Sequence, residues 1–273
     1  MRLTVRHSTL YHFDKPMRFV TQSHRLTPAS NAGQRVRDWS VTAEGAVFGA
    51  SFVDGAGDGV TTMTVQGPVD RIAVVVEGTV ETIDTSGVLR GHREVIWPQA
   101  YRQATTATTP TRPLLELRDA ALEGLEDLGP LDRSHRLSAA VADAIAYEPG
   151  ATGPQTTAAE ALKLGRGVCQ DHAHVLITLA HAAGMPARYV TGYLLTGNGN
   201  GDEVGEAAHA WAEIHNESLG WIGFDPANRC CPDERYIRLG SGRDAREAAP
   251  IRGVSRGGGI EAMDVAVTVA AQQ

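Results

Sequence analysis

The hydrophobic period of the chain changes once, and that change limits what it can fold into. From Arg2 to about Trp97 the apolar residues alternate or gather in short β-branched runs: Leu3 to His7, Val36 to Val41, Val60 to Val65 and Arg71 to Val80. From Leu114 onward they recur at helical spacing. Leu114, Leu117, Ala121, Leu122, Leu125 and Leu128 mark one face, and Leu137, Ala140, Val141, Ala144 and Ile145 mark another, with Gly129-Pro130 between them. The stretch Tyr101 to Pro113 is polar and rich in Thr, Ala and Pro, which suits a linker. An α+β chain of 273 residues follows, long enough for about two cores. The expected division is a β-rich unit over 1–100, a linker over 101–113 and a second unit over 114–273.

Turn residues punctuate the first unit at Pro28, Asn31-Ala32-Gly33, Gly45, Asp54 to Gly59, Gly67-Pro68 and Gly87. An antiparallel sandwich or small barrel fits that rhythm. Asp54 to Gly59 has the look of a calcium loop, but its third position is Ala56 and its twelfth is Val65, so it reads as a turn. Ile260 to Val269 alternates again and predicts a closing strand, in either unit.

Charge and cysteine content exclude several functions. With 32 acidic against 25 basic residues, the chain lacks the positive field that nucleic acid or an anionic membrane surface requires. Cys169, Cys230 and Cys231 cannot build a disulfide framework, and reduced thiols are expected. Residues 1–7 contain no apolar leader and no later run reaches membrane-span length, so the expected compartment is the cytoplasm. Gly197 to Gly201 lacks the Gly-Lys-Ser/Thr ending of a phosphate loop; it reads as a mobile loop beside the site that gates substrate access. His172 and His174 point about 200° apart on a helix, which argues against a metal site. No cofactor is expected.

The chemistry is concentrated downstream. In Gly165-Arg166-Gly167-Val168-Cys169-Gln170-Asp171, two glycines lead into a helix whose buried face carries Ala173, Leu176, Ile177, Ala180 and Ala183, and Gly184 and Pro186 end it. Cys169 therefore belongs at or near the helix N-terminus, where free N–H groups and the positive dipole end suit a nucleophile. Ala187 to Leu195 reads as a strand. A further strand begins at His209-Ala210-Trp211-Ala212-Glu213, and Gly220-Trp221-Ile222-Gly223-Phe224 ends at Asp225-Pro226. If these two strands pair as a hairpin, His209 and Asp225 become neighbours. A thiol, an imidazole to exchange its proton and a carboxylate to orient the imidazole are what nucleophilic acyl transfer needs.

Those segments, together with Gly184-Met185-Pro186-Ala187-Arg188-Tyr189-Val190, resemble in order the motifs of the transglutaminase-like superfamily of papain-fold enzymes. The likeness is to bacterial members with a β-rich N-terminal region. Thr9-Leu10-Tyr11-His12-Phe13-Asp14-Lys15-Pro16 resembles that region, and Gly242-Arg243-Asp244 and Ile251-Arg252-Gly253-Val254 resemble the family's C-terminal end. The resemblance implies a β-sandwich-like N-terminal domain and a papain-like transglutaminase core, with Cys169 as nucleophile, His209 as general base and acid, and Asp225 as the residue that orients His209. Papain-type proteases use Asn in the third place, so Asp225 favours the transglutaminase side. His172 departs from the family, whose members often carry an aromatic there.

Tyr147, Gln170 and Trp211 are candidates for supporting roles, including a second oxyanion donor beside the Cys169 N–H. The expected reaction is attack on a carboxamide or peptide carbonyl of a protein or peptide substrate, through a thioester. Hydrolysis, as a protease or amidase, ranks ahead of cross-linking or deamidation. The rival from another class is a non-catalytic binding or scaffolding module that keeps the fold.

Overall fold

The computed structural model describes residues 1–124, 127–197 and 207–272. The first 82 residues form β1 (Arg2–His24), β2 (Gln34–Ala43), β3 (Ala46–Val53) and β4 (Gly59–Thr82). β1 and β4 pair antiparallel over nearly their whole length, and β2 and β3 flank opposite halves of β4. Three of the expected strands are thus pieces of two long ones, and β3 is an edge strand the pattern did not announce. Gly67-Pro68, expected as a turn, lies inside β4. The register there jumps from Met17 opposite Val69 to Phe19 opposite Gln66, so Pro68, which has no N–H, falls where the ladder is already interrupted. A Cβ at Gly67 would stand 2.0 Å from the Met17 carbonyl oxygen, so the close approach of the two backbones requires glycine.

The long strands make the sheet sandwich-like. Tyr11, Ile72 and Val74 of one half share a buried cluster with Val20, Met63 and Val65 of the other. The Trp39 indole N–H donates to the Leu26 carbonyl at 2.9 Å and ties β2 to the far half.

The chain continues through α1 (Arg112–Leu122), α2 (Pro130–Ala144), β5 (Ala146–Tyr147), α3 (Ala158–Leu164), β6 (Arg166–Gly167), α4 (Cys169–Ala182), β7 (Ala187–Leu194), β8 (Ala208–Asn216), β9 (Gly220–Phe224) and β10 (Tyr236–Gly242). Pro130 stands at the start of α2, where its missing N–H costs nothing. Leu125 of the expected first helix lies outside the described residues. β10, β7, β8 and β9 form a second antiparallel sheet in that order. α4 covers it: Ala173, Leu176, Ile177 and Ala180 share a core with Ala210, Ala212 and Ile214 of β8. Full burial of a side chain such as Leu176 contributes about 1.5–3 kcal/mol.

The last two strands, β11 (Ile251–Arg256) and β12 (Glu261–Ala271), both pair with β1. The expected closing strand is β12, and it closes the first sheet, so residues 251–271 lie with the N-terminal strands. At the start of the stretch expected to be a linker, Tyr101 is buried and meets Trp221 edge to face at 5.3 Å. Leu3, Val5, Val80 and Val269 join Tyr193, Ile237 and Leu239 in one apolar cluster between the sheets. Beside it runs a buried chain of charge. Arg238 donates to Asp58 at 2.6 Å and to Glu213 at 3.0 Å, and Arg188 donates to the other Glu213 oxygen at 2.7 Å and to Glu94. The Arg188 guanidinium also lies 4.0 Å above the Trp221 ring. Among the described residues, no helix is long and apolar enough to cross a membrane.

Candidate active site

The approach to α4 is fixed by three short-range devices. Gly165 ends α3 in the left-handed region at φ 67°. At Gly167 a Cβ would stand 2.5 Å from the Asp171 carboxylate. That carboxylate accepts the Val168 N–H at 2.8 Å and the Thr152 hydroxyl at 2.6 Å, which caps the helix. Cys169 is consequently the first helical residue, half-buried, with an amide that has no intrahelical carbonyl to meet.

His209 is the second residue of β8, and Asp225 directly follows β9. The β8–β9 pairing runs from Asn216 opposite Gly220 to Ala212 opposite Phe224, and it brings the two side chains together. The His209 Nε2–H donates to Asp225 Oδ2 at 2.7 Å, and the Cys169 sulfur lies close enough to the imidazole to favour a proton on it. With Nε2 committed to Asp225, Nδ1 is left for the thiol. Burial opposes a charge on His209, but Asp225 and the Cys169 sulfur outweigh it and push the pKa up to about 10. Burial likewise opposes a charge on Asp225, yet His209, Asn228 and Tyr236 together hold its carboxyl below the usual carboxylate range.

Sequence reasoning missed two of those partners. Asn228 Nδ2 donates to Asp225 Oδ2 at 2.7 Å, and the Tyr236 hydroxyl donates to the same oxygen at 2.8 Å. Asn228 carried a faint signal, as an amide three residues past the carboxylate in a turn. Tyr236 carried none, because it arrives from the start of β10.

The supporting candidates fall in different places. Trp211 is buried beside His209, the two rings stacked with centroids 6.4 Å apart. Tyr147 is half-exposed on β5, opposite Gly167, with its ring 6.2 Å from that of His172. The Gln170 amide donates to the Pro154 carbonyl at 3.4 Å, so it holds the preceding loop. His172 points inward, its ring nitrogens 2.9 and 3.0 Å from the Val168 and Ile145 carbonyl oxygens. The His174 Nε2 accepts the Ala245 N–H at 3.1 Å. Among the described residues no three His, Cys, Asp or Glu side chains gather as metal ligands. Most of the expected gating loop, residues 198–201, lies outside the described residues.

The other two thiols differ from Cys169 in their surroundings. Burial pushes the Cys230 thiol up and the Cys231 thiol up to about 11. Cys230 meets the Tyr236 hydroxyl at 3.3 Å, and Cys231 has Cys230 and Asp84 nearby.

A helix-borne thiol beside an antiparallel sheet that carries His209 on one strand and Asp225 just past the end of the next defines a papain-like α+β core. Comparison with known proteins agrees. The model of the transglutaminase-like superfamily matches residues 120–226, and that of the bacterial transglutaminase-like N-terminal region matches residues 3–81. An uncharacterized protein of Mycobacterium leprae is 30% identical over 98% of both chains. A protein-glutamine gamma-glutamyltransferase of Pseudomonas aeruginosa is 30% identical over 33% of this chain and 14% of its own length. The crystal structure of a "Putative Cysteine Protease" from Cytophaga hutchinsonii superimposes with TM-score 0.74 at 20% identity, covering 100% of this chain and 92% of that one. The chain belongs to the transglutaminase-like superfamily, with the bacterial N-terminal region ahead of its core.

Proposed function

We propose that the chain is a cysteine-dependent acyl-transfer enzyme acting on carboxamide or peptide bonds of a protein or peptide. The observation that carries this reading is one imidazole, His209, hydrogen-bonded to the Asp225 carboxylate and placed where the Cys169 sulfur favours its protonation. In the resting site the thiol proton already sits on His209 Nδ1, and in the first half-reaction the thiolate sulfur attacks the carbonyl carbon. The Cys169 N–H at the start of α4 faces the developing oxyanion. Collapse of the tetrahedral adduct breaks the C–N bond, and His209 gives its proton to the departing amine or ammonia. The thioester that remains is attacked by water whose proton His209 accepts, and the carboxylic acid leaves as the thiolate–imidazolium pair is restored.

Water ranks ahead of an amine as acceptor, so proteolysis or amide hydrolysis ranks ahead of cross-linking. The three cysteines are all free thiols, which supports a reducing compartment, the cytoplasm. The test is to incubate the protein with a glutamine-rich peptide mixture, with and without a primary amine, and read products by mass spectrometry. Peptide cleavage or conversion of amide to acid, absent in Cys169→Ala, supports hydrolysis. Amine incorporation exceeding acid formation overturns the choice of acceptor. No product with any peptide or amine, and a Cys169 no more reactive than Cys231, favours the binding module.

A further inference from the structure

We infer that Tyr236 is a positioning residue for the His209–Asp225 pair, a role that rests on the acyl-transfer reading of that site. The hydroxyl of Tyr236 donates at 2.8 Å to the same Asp225 oxygen that receives the His209 Nε2–H. Its ring touches the site twice more, edge-on to His209 at 5.9 Å and to Trp211 at 5.5 Å between centroids. One side chain therefore sets both the carboxylate that holds the imidazole and the plane in which the imidazole lies. Asn228 Nδ2 donates to this oxygen as well, but its amide hangs on a turn, whereas Tyr236 is buried at the start of β10 in a continuous sheet.

The hydroxyl is itself anchored. Cys230 Sγ lies 3.3 Å from the Tyr236 oxygen. An ionised carboxylate can only accept, so the phenol hydrogen goes to Asp225 and the Cys230 S–H donates to the phenol oxygen. The resulting line runs from Cys230 through Tyr236 to Asp225, with His209 and Cys169 beyond it. Chained hydrogen bonds of this kind polarise one another in a dry interior, and burial keeps Tyr236 protonated, its pKa raised well out of the working range. Tyr236 thus donates at every pH at which the site can act.

The test is the pH profile of iodoacetamide labelling of Cys169 in the full chain, read by peptide mapping, for wild type, Tyr236→Phe and Tyr236→Leu. Phe keeps the ring and removes the hydroxyl. The expected result is a rate about three- to tenfold lower in Tyr236→Phe, with the acid limb moved to higher pH because Asp225 has lost a donor that stabilises its charge. Tyr236→Leu, which also loses the ring contacts, is expected to be slower still. A Tyr236→Phe profile that superimposes on wild type, in limb and in rate, overturns the inference while leaving the acyl-transfer reading in place. A wild-type Cys169 that labels no faster than Cys231 overturns the reading itself. If Tyr236→Leu does not fold, Tyr236→Phe alone still decides, since Phe keeps the ring and its packing and removes only the hydroxyl.

Discussion

β8 carries two buried charged clusters four residues apart, and they are built to opposite ends. At Glu213 a carboxylate is closed in by Arg188 and Arg238, its pKa held to about 2 by those two cations against the cost of burial. At His209 the charge is one that comes and goes: the imidazole sits between a thiol and a carboxylate at the open end of the strand. The first cluster keeps its protonation state through the whole working range and joins the two sheets through Asp58. The second has partners that favour a proton on His209 without locking it there. Burial of charge by itself therefore does not mark a candidate reactive site; what distinguishes His209 is a titratable ring with a thiol on its other side.

Mutations separate the two clusters. Cys169→Ala is expected to abolish turnover, a loss of about 10⁴-fold or more in steady-state rate, with the melting temperature nearly unchanged. His209→Ala is expected to cost about 10²–10⁴-fold in the same assay. Glu213→Ala acts on folding instead. It leaves two buried guanidiniums without their shared carboxylate, and about 3–5 kcal/mol of stability is expected to be lost in a urea titration. Asp225→Ala, which removes the orienting group and not a reacting one, is expected to give a smaller loss of turnover, about 10–10²-fold.

The pH dependence of stability sharpens the contrast further, because the two shifts have opposite sign. Glu213 has a folded pKa of about 2 against 4.5, so its contribution is complete above 4.5 and is lost as pH falls toward 2. His209 has a folded pKa of about 10 against 6.5, so its contribution is complete below 6.5 and is lost as pH rises through 10. Urea titrations across pH are expected to show the wild-type advantage over His209→Ala shrinking on the alkaline side only. The advantage over Glu213→Ala is expected to shrink on the acid side only.

Much of the His209 site was legible in the sequence, and almost none of the Glu213 cluster was. Glycine and proline bracket α4 and leave one position for Cys169, while β8 and β9 are adjacent in sequence and share a short turn in which Asn216 Oδ1 accepts the Ser218 and Leu219 N–H groups. Local pattern is enough for both. Arg238 and Tyr236 come from β10, which pairs with β7 across the chain from 195 to 235, a stretch that contains no periodic cue to that register. Asp58 comes from a turn in the other sheet. The length of β1 and β4 was hidden for a different reason: their register shifts near Met17 break the alternation that identifies a strand. The partner of β12 was open because alternation gives a strand's faces and not its neighbour.

The most direct test of the central claim is the protonation of His209 itself, read from its imidazole nitrogens by ¹⁵N-edited NMR at about pH 8, well above the ordinary histidine range. The arrangement predicts an imidazolium with hydrogen on both nitrogens at that pH in the wild type, reverting toward the neutral ring in Asp225→Ala. A neutral His209 at about pH 8 in the wild type, indifferent to Asp225, would contradict it.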